Sequence, residues 1–306
     1  MEIQKISVEI GYGDTKCCFL KDGEYIIFKF PTAVMRIKNA HSSFGAEMTD
    51  SYLFNGKKYF VGERAKSDSV STRGIGFIET YSALIAYHAI KLATAYGFDV
   101  NKPIEISTGL SIMNWDRSDN FIKTLETINV DDIVIKPTIR LMAQGQGVFF
   151  DYAGDRSGIV CVVDIGYHSF DFLVFENGEP RKDLCYAEPI GVNKIITDLQ
   201  AYVKKIFSGY ISEQMAKEIF LTGTVMNFGE QVDFSEDIKE LKEEYTQFIL
   251  NELRTKSLEV LRAAKTVIIS GGGAYFLENV ELPKNVVFSE TPFEFSNARG
   301  YLKGAK

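Results

Sequence analysis

Four cysteines in 306 residues, Cys17, Cys18, Cys161 and Cys185, stand in apolar, strand-like surroundings with no CxxC spacing. That argues against a disulfide framework and against zinc, and predicts four small core residues. The three histidines, His41, His88 and His168, are too far apart in sequence to form a metal signature. No apolar run approaches the roughly 20 residues of a membrane span. The opening MEIQKISVEI reads as a strand carrying charges rather than a signal peptide, so a cytoplasmic protein with no membrane partner is expected. An excess of basic residues is missing too. The formal net charge is −7, whereas a duplex-DNA binder needs a basic surface from which counterions are released. Lys57–Lys58 and Lys204–Lys205 are short pairs that read as solvated turn or helix charges, so direct binding to duplex DNA is not expected. Low-complexity tracts and linkers are also lacking.

What the chain has is a repeat. VEIGYGDTK (Val8 to Lys16) and VVDIGYHSFDF (Val162 to Phe172) share an apolar run, a carboxylate, Ile, Gly, Tyr, small or polar residues, and an acid. Ile6, Val8 and Ile10 alternate as a buried strand does, and Gly11 and Gly13 then let the chain turn with its N–H groups exposed to phosphate oxygens. Lys16, just past the turn, can place a point charge on a phosphate, and Thr15 offers a hydroxyl. Glu9 and Asp164 fall at strand ends, where carboxylates suit Mg²⁺ or its coordinated waters. Read singly, GYGD and GYHS are equally ordinary Gly/Asp hairpin turns. A third motif changes the balance: VIISGGGAYFL (Val267 to Leu277) runs an apolar strand into Gly271, Gly272 and Gly273. Three glycines allow close backbone approach to a flat ligand or a phosphate, and the run reads as a strand-to-helix turn. In ETPFEFSNARGYLK (Glu290 to Lys303), Ser296 is placed to cap a short helix before Gly300.

A length prior of about 150 residues per domain gives two domains, and 45% hydrophobic residues suffices for a core in each. The first half reads as strands near 3–10, 15–20 and 25–30, then a polar insertion, 31–72, holding the hairpin-like YLFNGKKYFVGE. A helix over 76–97, strand 104–109, helix 114–128, strand 133–139 and helix 142–152 follow. The second half repeats the meander near 159–164, 170–176 and 182–187, with helices over 191–206, 212–220 and 236–263 and a strand at 266–270. The last helix alternates charge sign with apolar residues at helical spacing and reads as amphipathic. The α/β pattern given twice puts domain I at 1–152 and domain II at 153–293. The boundary falls in the flexible-looking stretch Asp151 to Gly158, and the C-terminal helix 294–306 is available to pack back on domain I.

The order of motifs resembles the actin-like ATPases, within the larger group that also holds sugar kinases and heat-shock chaperone ATPases. The GYGDTK signature and compact length are most similar to the ParM-like branch, which includes plasmid-segregation actins and related archaeal homologues. VEIGYGDTK looks like the first phosphate loop, VVDIGYHSFDF the second, and ISGGGAYFL the adenosine motif. LMAQGQGVFFDYAG (Leu141 to Gly154) and FSNARGYLK look like the two connecting helices, and EPIGVNKIITDL (Glu188 to Leu199) like the segment leading to the adenosine pocket. The resemblance implies an actin-like (ribonuclease H-like) duplicated two-domain α/β fold with the nucleotide in the interdomain cleft. It implies ATP or ADP as ligand, with GTP an open alternative, and Mg²⁺. Gly11, Tyr12, Gly13, Asp14, Thr15 and Lys16 would lie on the phosphates from one side and Gly166, Tyr167 and His168 from the other, with Gly191, Gly271, Gly272, Gly273 and Tyr275 around the nucleoside. Asp164 would organise metal and attacking water, with Glu9 reaching the metal through water. A Gln or Glu at the start of the first connecting helix positions that water in the family; Gln144 aligns there, and Gln146 competes two residues on. One departure stands out: the first loop normally begins with Asp, and here it is Glu9, which implies slower hydrolysis or an altered metal preference.

Function follows from the same resemblance: ATP-dependent self-association into filaments, with hydrolysis weakening the lattice, for plasmid or other DNA segregation through an adaptor protein that holds the DNA. Two other readings remain. A small-molecule kinase of the same superfold would need an Asp base in the cleft, where this chain has Gln144. A non-polymerising nucleotide-dependent scaffold or regulator would treat Glu9 as a mark of lost turnover.

Overall fold

The structure, a computed structural model, describes residues 2–37, 50–68, 70, 74–209 and 211–304. It divides into two compact units: Met1–Gly154 with Ser289–Lys306, and Asp155–Phe288.

The first unit opens with the meander β1 (Gln4–Ile10), β2 (Asp14–Lys21) and β3 (Glu24–Pro31). Strands β4 (Val34–Arg36), β5 (Tyr52–Phe54) and β6 (Lys57–Val61) form a small separate sheet within the polar insertion. Of that insertion, 38–49, 69 and 71–72 lie outside the described residues. Helix α1 (Ile75–Ala95) leads to β7 (Ile104–Leu110), α2 (Ser118–Leu125), the hairpin β8 (Ile128–Val130) and β9 (Ile133–Ile135), then β10 (Thr138–Ala143) and α3 (Gln146–Asp151). The main sheet runs β10-β7-β1-β2-β3, with β7 parallel to both β1 and β10. Its core gathers Ile6, Val8, Phe19, Leu84, Ile85 and Ile106. α1 is buried over so much of its surface, from Phe77 to Ala93, because α2, β8 and β1 pack on it and Tyr52 and Tyr59 of the insertion meet its Tyr87, His88 and Tyr81.

The second unit repeats the plan. β11 (Ile159–Ile165) and β12 (Phe170–Glu176) pair antiparallel, as β1 and β2 do. After β13 (Glu179–Pro180) and β14 (Tyr186–Glu188) come α4 (Asn193–Phe207), α5 (Glu213–Thr222), the hairpin β15 (Thr224–Asn227) and β16 (Glu230–Asp233), and α6 (Ser235–Ala263). β17 (Thr266–Ser270) then enters the sheet parallel to β11, as β7 does beside β1, and β18 (Val286–Phe288) flanks it. Along α6 the buried residues Ile238, Tyr245, Ile249 and Leu253 recur at helical spacing, as the charge alternation predicts. The last helix, α7 (Ser296–Gly304), belongs to the first unit and packs on α3.

Several boundaries differ from the sequence expectation. The strand expected at 133–139 breaks at Pro137, which cannot donate to a ladder, leaving β9 and β10. The helix expected at 142–152 starts only at Gln146, because the pairing of Met142 with Gly109 and Ala143 with Leu110 keeps β10 extended. The helix expected at 114–128 is a 3₁₀ turn over Ile112–Arg117, with a non-helical Asn114, followed by α2. The strand expected at 182–187 becomes a 3₁₀ turn (Lys182–Leu184) and β14. Asp151 is no linker residue. It is buried, and its carboxylate meets Arg299 at 2.8 Å, Lys303 at 2.6 Å and Ser296 Oγ at 2.9 Å. Ser296 is the first residue of α7, and Gly300 lies inside that helix rather than ending it. The β15–β16 hairpin and β18 have no counterpart in the sequence expectation.

All four cysteines are free thiols. Cys17, Cys18 and Cys161 are buried, and burial raises the Cys18 and Cys161 pKa values to about 12, so these thiols stay protonated core residues. Among the described residues, no helix is long and apolar enough to cross a membrane.

Candidate functional site

In the first unit, the three-residue turn Gly11–Gly13 joins β1 to β2, with Glu9 facing Lys16 and Ile10 facing Thr15 across the ladder. Glu9 is 5% exposed. Lys16 folds back over the turn: a Cβ at Gly11 would stand 3.2 Å from its Nζ and 2.8 Å from the Asp14 carbonyl. A side chain at position 11 would therefore displace the ammonium. The Gly13 carbonyl accepts from Thr32 N–H at 3.1 Å, which turns the Asp14 N–H of the same trans peptide the opposite way. Tyr12 is half-buried against the core and hydrogen-bonds to Asn114. Burial raises its pKa, with the Asn114 bond acting against the rise. Thr15 corrects an expectation. It is fully buried and its hydroxyl pairs with Thr32 Oγ1 at 2.8 Å, so it ties the base of the turn to β3's end instead of presenting a hydroxyl.

In the second unit, Asp164 is 6% exposed, pairing with Asp171 on one side and Ser270 on the other. The turn that follows is pinned from behind by the start of α4. Val192, Asn193 and Gly191 donate their N–H groups to the carbonyls of Gly166 (3.0 Å), Tyr167 (2.7 Å) and His168 (3.4 Å). Because carbonyl and N–H point oppositely across a trans peptide, the N–H groups of Tyr167, His168 and Ser169 face the other side, an arrangement that favours anions. Tyr167 is clamped further: its hydroxyl donates to Glu213 at 2.7 Å and Lys217 sits 4.1 Å above its ring.

The three glycines divide into two kinds. Gly271, at φ +84°, lies against Asp164, whose Oδ1 would be 2.6 Å from a Cβ there, and a Cβ at Gly273 would collide with Ile165. Gly191 likewise leaves no room beside the Tyr167 carbonyl. Those three are required by the protein's own packing. Gly272 is different: it is exposed, and a Cβ there meets nothing within 4 Å. The segment is a short 3₁₀ turn, Gly272–Phe276, rather than the opening of a long helix, and Tyr275 is 39% exposed on it. Gly272→Ala is therefore expected to fold with an unchanged melting temperature. If a nucleotide lies against that backbone, the added methyl should weaken binding by about 1–3 kcal/mol, roughly 5–150-fold in Kd; equilibrium titration with ATP beside a thermal melt checks this.

The glutamine turn lies in the first unit. Gln144 precedes the helix and its N–H donates to Leu110 O at 3.0 Å, while Gln146 is the first residue of α3 and its Oε1 accepts from Ala143 N–H at 3.3 Å. The helix thus begins at Gln146, with Gln144 two residues ahead of it. Sequence reasoning also missed Asn114, Thr32, Glu213 and Asn297, whose Oδ1 accepts from Gly145 N–H at 2.9 Å. Each acts through a partner distant in sequence.

A twice-repeated α/β unit whose first hairpin turns on glycine beside a strand-end carboxylate is the actin-like fold. The family model described as "Actin like proteins N terminal domain" matches residues 7–147, and that described as "Archaeal actin homologue MreB-like, C-terminal" matches 162–281. The chain belongs to the actin-like proteins. Among solved structures, a 15-stranded ParM filament from Clostridium botulinum is 21% identical with a TM-score of 0.79 over 99% of both chains. The archaeal actin homologue Ta0583 in complex with ADP is 20% identical at 0.72 over 99% of both chains. Bacillus thuringiensis ParM with AMPPNP is 16% identical at 0.69, covering 99% of this chain and 98% of that one. These likenesses show that the fold is shared over nearly the whole length of each chain. No curated protein matches the chain in sequence.

Proposed function

We propose that this chain is a nucleoside triphosphatase of the actin-like kind that assembles with copies of itself into filaments when nucleotide is bound. The observation that carries the reading is the duplication. At the same topological position in each unit, a glycine turn orients backbone N–H groups outward beside a buried carboxylate, Glu9 in one and Asp164 in the other. Each such turn suits a phosphate group. Lys16 supplies the point charge, the 166–169 turn supplies N–H donors, and the 271–275 turn offers open backbone at Gly272 for the nucleoside.

Among the described residues, no group of three or more His, Cys, Asp or Glu side chains is placed to hold a metal ion. A strand-end carboxylate such as Asp164 suits Mg²⁺ in the form it takes with nucleotides, held by one or two carboxylates, waters and phosphate oxygens. Asp164 would hold it in the second unit, and Glu9 is the corresponding carboxylate of the first. When bound, Mg²⁺ neutralises charge on the phosphates. Asp164 also orients water, and Gln146 does so through the remaining lone pair of Oε1 and its NH₂ group. The carboxylate at the first turn is Glu, one methylene longer than the family's Asp, which favours slow turnover. ATP is the proposed nucleotide, with GTP competing, since both present the same phosphates.

Self-association finds support at the β15–β16 tip. Phe228 is 101% exposed at φ +48°, a conformation that bulky residues avoid without compensation, and Met226 on the same hairpin is also exposed. We assign this tip to contact with a second copy, because the ParM relative is itself a filament. Phe228→Asp is expected to raise the protein concentration at which ATP induces pelleting by roughly tenfold or more, the effect of losing an aromatic anchor, without altering nucleotide affinity. An unchanged pelleting threshold would remove the tip from the interface. Segregation of plasmid or other DNA through an adaptor is the proposed role, in the cytoplasm, since the net charge of −7 leaves DNA to a partner.

Nucleotide binding is tested directly by the single tryptophan. Trp115 is 43% exposed and follows Asn114, which bonds Tyr12 in the first turn. Titration with Mg·ATP should change its fluorescence saturably, and competition by ADP should reverse the change. No change, together with no heat of binding by calorimetry, would overturn the nucleotide reading.

A further inference from the structure

The turn that carries Gln144 and Gln146 is held from one side by α7, and the hold is specific. Gly145 lies between the two glutamines at φ +84°, and its N–H donates to the Asn297 side chain at 2.9 Å in a buried setting. Asn297 is 3% exposed and 152 positions away. The backbone below it is packed as tightly as backbones allow. A Cβ at Gly147 would stand 2.6 Å from the Asn297 carbonyl and 2.8 Å from its Cα, and one at Gly300 would collide with the Gly147 carbonyl. At the far end of α3, Asp151 takes Arg299, Lys303 and Ser296 from the same helix. α3 is therefore held against shifting along α7, and at the turn itself the Gly145 N–H is held by a side chain of α7, that of Asn297.

We propose that Asn297 is a positioning residue for hydrolysis: its side-chain oxygen fixes the Gly145 N–H and so sets where the amides of Gln144 and Gln146 point. The inference rests on the nucleotide-hydrolysis reading above and adds to it the residue that aims the glutamines. The physical reason is geometric. A left-handed residue between two glutamines can rotate both amides by a small change in its own peptide plane, and misplacement of a water-orienting group by about 1 Å costs on the order of 100-fold in rate. A hydrogen bond to one backbone N–H is the direct way to remove that rotation.

The test compares Asn297→Leu, which keeps the shape without the acceptor, with Asn297→Asp, which keeps the acceptor oxygen, each alone and with Gln146→Ala. Mg·ATP affinity is read by Trp115 fluorescence and turnover by phosphate release. The expected result is turnover lower by about 10–100-fold in Asn297→Leu with Kd changed less than about threefold, substantial recovery in Asn297→Asp, and little further loss when Asn297→Leu is added to Gln146→Ala, since residues acting as one unit are not additive. Full additivity with Gln146→Ala, or turnover in Asn297→Leu equal to wild type, overturns the proposal while leaving the hydrolysis reading intact. Wild-type protein that binds Mg·ATP without releasing phosphate overturns both. Should Asn297→Leu fail to fold, Asn297→Ser against Asn297→Asp decides in the same way, the shorter side chain being expected to lose the bond and the rate.

Discussion

Replacing Asp164 by Ala is expected to abolish Mg²⁺-dependent phosphate release, by roughly 10³-fold or more, because a charge that holds the metal is worth several kcal/mol in phosphoryl transfer and each 1.4 kcal/mol is tenfold. The carboxylate sits at the end of β11 between Asp171 and Ser270 and is capped by Gly271, so the change also opens space in the sheet. Asp164→Asn, which keeps the volume and loses the charge, separates chemistry from packing. The expectation is that the Asn variant melts like wild type and shares the loss of turnover. Wild-type rates in a folded Asn variant would detach Asp164 from the reaction.

The second large effect belongs to the glutamine turn. Gln146→Ala should bind Mg·ATP and assemble, yet release phosphate about 100-fold more slowly and leave long-lived polymers, since a group that orients water acts in the transition state more than in the ground state. Gln144→Ala should fall less. Its backbone N–H bonds Leu110 whatever the side chain, and it precedes the helix that Gln146 begins. Single-turnover phosphate release distinguishes them, and the reverse order of effects would return the role to Gln144.

That pair of residues shows where the sequence is readable and where it is not. The glycine turn at Gly11–Gly13 is visible from the alternation of Ile6, Val8 and Ile10, and that at Gly166–Ser169 from the repeat of the same motif after an apolar run, because a buried strand must end and glycine can supply the turn. The register of the glutamines is not visible in that way. RLMA is as apolar as the helix after it, and only pairing of Met142 and Ala143 with β7 decides that the strand ends at Ala143. Thr15 reads as a phosphate ligand in the linear motif, but Thr32 at the end of β3 draws its hydroxyl inward. Asn297, Asn114 and Glu213 escape for a similar reason: each holds a site residue from 46 to 152 positions away or through a kinked turn, and no local period announces such contacts. The β15–β16 tip was missed because its two-residue turn places Phe, not Asn or Asp, in the left-handed position before Gly229.

The central claim is that nucleotide binding drives self-association, and right-angle light scattering against protein concentration tests it most directly. With Mg·ATP the account predicts no scattering below a threshold concentration and a linear rise above it, followed by decay as phosphate is released, with a flat line when nucleotide is withheld. Scattering that stays flat with Mg·ATP at every concentration, in protein shown to bind the nucleotide, would contradict it.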